Sequence, residues 1–491
     1  MNTPIRRIYV LILLLFGLLV YFTSKWAVFD SDELQAKTQN RRPLIASQQI
    51  PRGSITTSDG VLIAESHPEG GGVHPVYVRD YPEEDPSTFG NPVGYSFVAL
   101  GQKGIEQSEN DLLTGQKNEF ASIIDELQNQ EPEGADLTIT IDAQAQRLAV
   151  QLLQQAVAST PGSNGAGSVV ALDPSTGAVR VMASIPGFDP NAAASEETFK
   201  PIQNDESAPL LNRPTQNTYQ PGSTMKVVTA AAALDSGEFN PDSILSGRSP
   251  QEIGGVELSN AGGEQFGDID MDTALTHSVN TYFAQVGEQL GNETMLEYMD
   301  RFGFDKDPEL DYPDDQMRPS GVYDENDNLL NANDAIDIGR VAIGQERLLV
   351  SPLQMAEVAG TIANDGKLMK PTFLQKATDP DGRTIDELDP DEQDQVVSAD
   401  TANEVTTMMT HVTEEGTAAG LTVQGASFAG KTGTAEIDIE QGTNRPWFIG
   451  FAPADDPQVA VAVMLETCTG CFGGEVAGPI ATQIMDDLIG G

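Results

Sequence analysis

The chain has 491 residues, too many for one ordinary hydrophobic core, since domains average roughly 150 residues. With 39% hydrophobic residues it is not a disordered chain. Its 74 acidic side chains against 27 basic ones give a net charge of -47, which excludes charge-driven binding to nucleic acid or to an anionic membrane surface.

At the N-terminus, residues 8–22 are almost wholly apolar, preceded by Arg6 and Arg7 and followed by Lys25 and Trp26. A helix over 8–24 is about 26 Å long, enough to span a bilayer once the flanking basic side chains snorkel. A retained anchor is expected, with 1–7 as a cytoplasmic tail, 8–24 as the span and everything beyond outside. A cleaved signal peptide has a similarly short apolar core, but no clear small-x-small site follows it and Trp26 suits an interface.

Residues 25–134 are polar and loop-rich, the composition of a small accessory domain. Arg52-Gly53-Ser54-Ile55, the turn Asp59-Gly60 and Val61-Leu62-Ile63 read as strand, turn and strand. A glycine run spans Gly70 to Gly72, and Gly104-Ile105-Glu106 precedes a helical stretch over 108–113. Glu131-Pro132-Glu133-Gly134 marks a boundary, leaving 135–491 as the main domain.

There, a strand over 137–141 and a helix over 143–156 precede a hairpin, 168–172 and 178–184 around Asp173-Pro174-Ser175-Thr176-Gly177. A helix is expected from Ser223 to about Leu234 with Gly237 as its stop. Another starts at Ser351-Pro352-Leu353-Gln354, a capping box with proline at the first position, and ends before Asp365-Gly366. The acid- and proline-rich stretches 305–334 and 379–400 read as solvated loops, a hydrated surface rather than a partner-binding face. Strands over 447–451 and 459–465 flank Pro453-Ala454-Asp455-Asp456-Pro457, and a helix over 477–488 closes the chain. Strands at both ends with helices between imply an α+β fold, one antiparallel sheet joining the first and last segments. Cys468 and Cys471 fit a local disulfide, with free thiols as the alternative. A metal site would lack two ligands, because His67, His74, His277 and His411 are scattered.

Three short motifs carry chemistry. Ser223-Thr224-Met225-Lys226 places a hydroxyl and an amine at i,i+3 on one helix face, so a neutral Lys226 can take the Ser223 proton. Burial beside a second cation such as Lys431 would lower the lysine pKa as that requires. Ser278-Val279-Asn280 supplies a hydroxyl able to relay a proton and an amide able to hold a carbonyl. In Lys431-Thr432-Gly433-Thr434, Gly433 permits close backbone approach, and the lysine and threonines can bind a carboxylate. Each motif alone is weak, and an exposed helix, a turn and a strand edge would produce them too. His277 beside Ser278 suggests a Ser-His pair, but lysine already occupies the base position and no acid partner can be placed.

In this order, the segments 219–226 and 429–436 resemble the active-site motifs of penicillin-binding transpeptidases. Gly344-Gln345, Ser351 to Ala356, Ala363-Asn364-Asp365-Gly366 and 447–453 extend the resemblance. Upstream, Arg52-Gly53-Ser54-Ile55, Asp59-Gly60 and Gly104-Ile105-Glu106 are similar to the N-terminal module of class B members, most closely the actinobacterial penicillin-binding protein A group. The resemblance covers nearly all of the chain after the anchor; Val279 stands where many members have Asp.

It implies a penicillin-binding, serine β-lactamase-like fold and a peptidoglycan D,D-transpeptidase, acylated by stem peptides ending in D-Ala-D-Ala and by β-lactams. It further implies Ser223 as nucleophile, Lys226 as general base, Ser278 and Asn280 in proton transfer and positioning, and Lys431 in electrostatic support. Thr432, Gly433 and Thr434 would bind the terminal carboxylate, and backbone N–H groups of Ser223 and Thr434 would form the oxyanion hole. No cofactor, metal or nucleic acid is implied; wall-synthesis and division proteins are the expected partners. A D,D-carboxypeptidase, which uses water as acceptor, and a non-catalytic scaffold or β-lactam sensor remain as alternatives.

Overall fold

The computed structural model describes residues 3–25, 50–69, 75–115, 133–438 and 440–490. Trp26, the Gly70 to Gly72 run and the Glu131-Pro132 half of the expected boundary lie outside them. Helix α1 (Thr3–Ser24) contains a 20-residue stretch, Ile5–Ser24, of mean hydropathy 2.1, none of it buried within the protein. Among the described residues it alone is long and apolar enough to cross a membrane.

The expected strand, turn and strand appear as β1 (Ile55–Thr56) and β2 (Leu62–Glu69), with Gly60 at φ +82 in the turn; β3 (Val76–Asp80) pairs with β2. Instead of one helix over 108–113 there are two short helical turns, Ile105–Ser108 and Asn110–Leu113, because Glu109 between them leaves helical geometry. The two upstream landmarks meet in the interior. Arg52 and Arg79 each donate from Nε to Glu106 at 2.6 Å, and Tyr81 Oη donates to the same carboxylate at 3.1 Å. Burial alone would push Glu106 up, but the two guanidiniums override it and hold the carboxyl below its ordinary range.

Next come β4 (Asp136–Ile139), α2 (Ala143–Ser159) and the hairpin β5 (Gly167–Leu172) and β6 (Val179–Ile185). Helices α3 (Lys226–Asp235), α4 (Asn280–Arg301) and α5 (Pro352–Ala363) lead to β7 (Leu374–Thr378) and β8 (Thr384–Glu387). Helix α6 (Ala399–Glu414), strands β9 (Ala429–Asp438), β10 (Thr443–Ala452) and β11 (Val459–Leu465), and helix α7 (Gly473–Gly490) complete the chain. Ser351 caps α5 as its sequence requires, its hydroxyl accepting from the Gln354 N–H at 3.1 Å.

Two sheets organise these elements. The main one runs β9-β10-β11-β5-β6, antiparallel throughout, so the last strands join the first hairpin. β11 is buried along its whole length because α5 and α7 both pack on it. The other runs β8-β7-β4-β1-β2-β3 and joins strands from both sides of residue 134, with Ile55 opposite Leu137 in parallel.

The acidic stretches are not simply solvated loops. Asp311, within 305–334, is partly buried and accepts from Phe373 N at 2.6 Å, Leu374 N at 2.9 Å and Thr372 Oγ1 at 2.7 Å, tying that segment to the start of β7. Within 379–400 lie β8 and a further strand, Glu392–Gln395. Both are largely exposed, and charge on such strands discourages pairing between molecules. Cys468 and Cys471 are disulfide-bonded, and Cys468–Thr469 forms a short strand against β10.

Candidate active site

Ser223 does not open the α-helix directly. It sits on a tight 3-10 turn, Gly222–Met225, that runs into α3, and it keeps partial exposure while Thr224, Met225 and Lys226 are buried. Close backbone approach fixes this turn. Gly222 has φ +55 and donates to Gly344 O at 3.0 Å, and a Cβ on Gly344 would lie 1.9 Å from Gly222 O. On the other side a Cβ on Gly433 would lie 2.7 Å from Pro221 O. Trp447 Nε1 donates to Gln220 O at 3.0 Å, and Tyr219 exchanges two 2.8 Å backbone hydrogen bonds with Val350. Ser223 is thus presented beside the edge strand β9, with Gly222 packed against Thr434.

Lys226 and Lys431 are both completely buried and converge on one hydroxyl. Lys226 Nζ donates to Ser278 O and to Asn280 Oδ1, each at 2.7 Å, and lies 3.2 Å from Ser278 Oγ. Lys431 Nζ donates to Ser278 Oγ at 2.9 Å and to Thr432 O at 2.9 Å. Among the described residues, the hydrogen-bond partners of Lys226 lie in the second motif and do not include Ser223. The i,i+3 spacing alone therefore does not make that contact.

Ser278 reaches this position through a left-handed backbone, φ +57, unusual for a residue with a side chain and supported by Val279 N donating to Ala274 O at 2.8 Å. The start of α4 is pinned by Asn260, whose Oδ1 accepts from Thr281 N at 3.0 Å and Thr281 Oγ1 at 3.1 Å.

Burial is the main cause of the depressed lysine pKa values. It takes Lys431 down to about 7 and, with Lys431's charge as a second cause, takes Lys226 well below the ordinary lysine range. Neutral Lys226 has two N–H donors and one lone pair, and two pure acceptors, Ser278 O and Asn280 Oδ1, take the donors. The lone pair is left to accept a proton. The chain from Lys431 through Ser278 Oγ to Lys226 is then a continuous path for moving one.

On β9, Thr432 is nearly buried, its Oγ1 2.6 Å from Thr417 Oγ1, while Thr434 is partly exposed, its Oγ1 accepting from Gly473 N at 3.3 Å. Gly433 has no room for a side chain between Pro221 and Trp447. All eight residues singled out from sequence thus lie where the Ser223 turn, the Ser278 turn and β9 meet. His277 is outside this cluster, exposed and stacked on Phe266 at 5.6 Å between centroids.

Sequence reasoning missed Thr417, Asn260 and a largely buried charge cluster behind the Ser223 turn. Glu466 Oε1 accepts from Tyr219 Oη at 2.7 Å and Arg213 Nε at 2.9 Å, fixing Tyr219 four residues before Ser223. The only signal for Thr417 was the glycine before it. A Cβ on Gly416 would lie 2.2 Å from Thr276 O, which draws that loop onto the second motif.

The family model for the penicillin binding protein transpeptidase domain matches residues 167–486, and that for the penicillin binding protein A dimerisation domain matches 52–137. The peptidoglycan D,D-transpeptidase PbpA of Mycolicibacterium smegmatis is 34% identical over 499 residues, covering 98% of this chain and 97% of that protein. PbpA of Mycobacterium tuberculosis is 30% identical over 510 residues, covering all of both. The structure of penicillin-binding protein A from M. tuberculosis as a ceftriaxone acyl-enzyme complex superposes with a TM-score of 0.80 at 29% identity, over 91% of this chain and all of that one. The D,D-transpeptidase domain from Eggerthella lenta gives 0.73 at 31% identity, over 89% of this chain and 97% of that one. With the sheet order, the glycine-lined serine turn and the paired buried lysines already in place, these matches establish that the chain belongs to the penicillin-binding protein transpeptidase family.

Proposed function

We propose that the chain is a peptidoglycan D,D-transpeptidase working through a Ser223 acyl-enzyme. The observation that carries this reading is the pair of buried lysines meeting at Ser278 Oγ, one of them holding a lone pair beside the serine turn. Ser223 Oγ attacks the carbonyl carbon of the penultimate D-alanine, and its proton passes to neutral Lys226. The C–N bond to terminal D-alanine breaks, and the proton returns through Ser278 to the leaving amine. An amine of a second stem peptide then attacks the ester, forming the cross-link and restoring Ser223.

Asn280 holds Lys226 and positions the donor peptide. Thr432 and Thr434 bind the terminal carboxylate, Gly433 lets its backbone approach, and the N–H groups of Ser223 and Thr434 stabilise the oxyanion, each worth about 3 kcal/mol. Lys431 remains inside and supplies field rather than direct contact. A β-lactam acylates Ser223 by the same first step.

The helix Thr3–Ser24 supports a single-pass arrangement, with 1–7 in the cytoplasm, 25–134 as accessory module and 135–491 as catalytic domain outside, beside other wall-building and division proteins. Incubation with a D-Ala-D-Ala pentapeptide and an amine acceptor should give a cross-linked product by mass spectrometry. Release of tetrapeptide alone would mean a carboxypeptidase, and no turnover a scaffold or sensor.

A further inference from the structure

Thr434 is supported from behind by the turn that carries the two cysteines. Gly473 N donates to Thr434 Oγ1 at 3.3 Å, and among the described residues the Thr434 side chain has no other hydrogen bond. With its oxygen accepting from Gly473, the hydroxyl keeps its O–H to donate to a ligand. Gly473 opens α7, so its N–H has no acceptor within that helix. It is wedged onto β9 and β10, where a Cβ would lie 2.4 Å from Gly433 O and 2.1 Å from Trp447 O. The turn leading into it, Cys468 to Phe472, has little else to hold its shape. Thr469, Gly470 and Phe472 are exposed, and the cysteines, at 0% and 5% exposure, are the only side chains the turn buries. Thr469 N and Gly470 N donate to Pro161 O at 2.8 Å and Gly442 O at 2.9 Å, which fixes the first half. Beyond Gly470, among the described residues, one hydrogen bond ties the turn to the strands, Asn444 Nδ2 to Cys471 O at 3.0 Å. The remaining tie is covalent, the bond from Cys471 back to Cys468.

We propose that the Cys468–Cys471 disulfide is a positioning element for carboxylate recognition. It holds the turn that aims the Gly473 N–H at Thr434 Oγ1, and so keeps the Thr434 O–H directed at the carboxylate of the substrate. This rests on the reading that Thr434 binds that carboxylate. A hydroxyl that accepts one hydrogen bond is polarised to donate the next more strongly, and loss of the first also frees the side chain to take another staggered rotamer. A disulfide closing so short a loop adds little to global stability, so its loss is felt locally, two residues away at Gly473.

Acylation of the full chain by benzylpenicillin and by its methyl ester, which lacks the carboxylate, tests this by intact-mass spectrometry. The wild type should react faster with the acid. In Cys471→Ala and in Cys468→Ala/Cys471→Ala, the acid rate should fall about tenfold while the ester rate stays unchanged, the latter showing an intact fold and Ser223 turn. Thr434→Val should lose the same preference, and adding the cysteine changes to it should cost nothing further with the acid, because both act through one hydroxyl. An acid preference kept in both cysteine variants, an equal fall for acid and ester, or losses that multiply in the combined variant would overturn the role of the disulfide and leave that of Thr434 standing. A wild type indifferent to the carboxylate would overturn the Thr434 assignment and this inference with it.

Discussion

Replacing Lys431 with Gln removes the second buried cation while keeping an N–H donor for Ser278 Oγ. Lys226 Nζ and Lys431 Nζ lie 3.2 and 2.9 Å from that oxygen, so the nitrogens are no more than about 6 Å apart. Like charges at that separation repel by about 3 kcal/mol at an effective dielectric of about 20, equivalent to about 2 pKa units. Burial, the larger cause of the Lys226 depression, is unchanged by the substitution, so only this repulsion, about 2 units at about 6 Å, is removed. Lys431 itself titrates at about 7, so the repulsion is full only below that pH. Lys226 accepts a proton only when neutral, and acylation therefore rises with pH through its pKa. In Lys431→Gln the pKa rises, and the ascending limb moves to higher pH by up to about 2 units. The rate would fall by as much as about 100-fold at acidic pH and recover towards wild type above the new limb. The assay is the second-order rate of acylation by a fluorescent penicillin between pH 5 and 10. A limb that stays put or moves to lower pH would show that charge at position 431 does not set the Lys226 proton affinity.

Gly344→Ala would place a methyl 1.9 Å from Gly222 O at a φ of +76; the displaced serine turn should cost about 100-fold in acylation rate, read with the same penicillin. Glu106→Gln leaves two buried guanidiniums without their carboxylate and should destabilise the protein by about 3–5 kcal/mol in urea unfolding at pH 7. Because the folded pKa of Glu106 is depressed, its stabilisation is complete above the unfolded value of about 4.3 and is lost as pH falls through the folded value, so the gap should narrow in acid. Lys431→Met tests a cost of function. A lysine whose folded pKa is about 7 destabilises the fold fully below that pH and progressively less towards its unfolded value of about 10.4. The variant should melt at least about 2 °C higher at pH 6, with that advantage vanishing near pH 10, while acylation collapses.

What the sequence disclosed was local: hydroxyl, amine and amide groups at fixed spacing, and apolar runs bounded by turns. That sufficed for the β5–β6 and β10–β11 hairpins and the α5 cap, while the eight site candidates came from three motifs whose order resembles a known family. Contacts set by the backbone at long range were not legible. Nothing in Ser278 announces φ +57, and the Lys226 partners lie in the second motif, more than fifty positions away. Thr417 and Glu466 become informative only when Thr432 and Tyr219 are placed beside them. Acid content misled over Asp311, because a carboxylate that accepts three hydrogen bonds from the segment Thr372 to Leu374 looks like any other in a run of Asp and Pro. The Arg52 and Glu106 landmarks were visible as motifs, but their pairing with Arg79 was not.

The most direct test is peptide mapping by mass spectrometry after brief exposure of wild type and Lys226→Met to penicillin near neutral pH. A penicilloyl adduct on Ser223 in the wild type, with little or none in the variant, is the expected result. An adduct on another residue, or a variant acylated at Ser223 as fast as wild type, would contradict a serine activated by a buried neutral lysine.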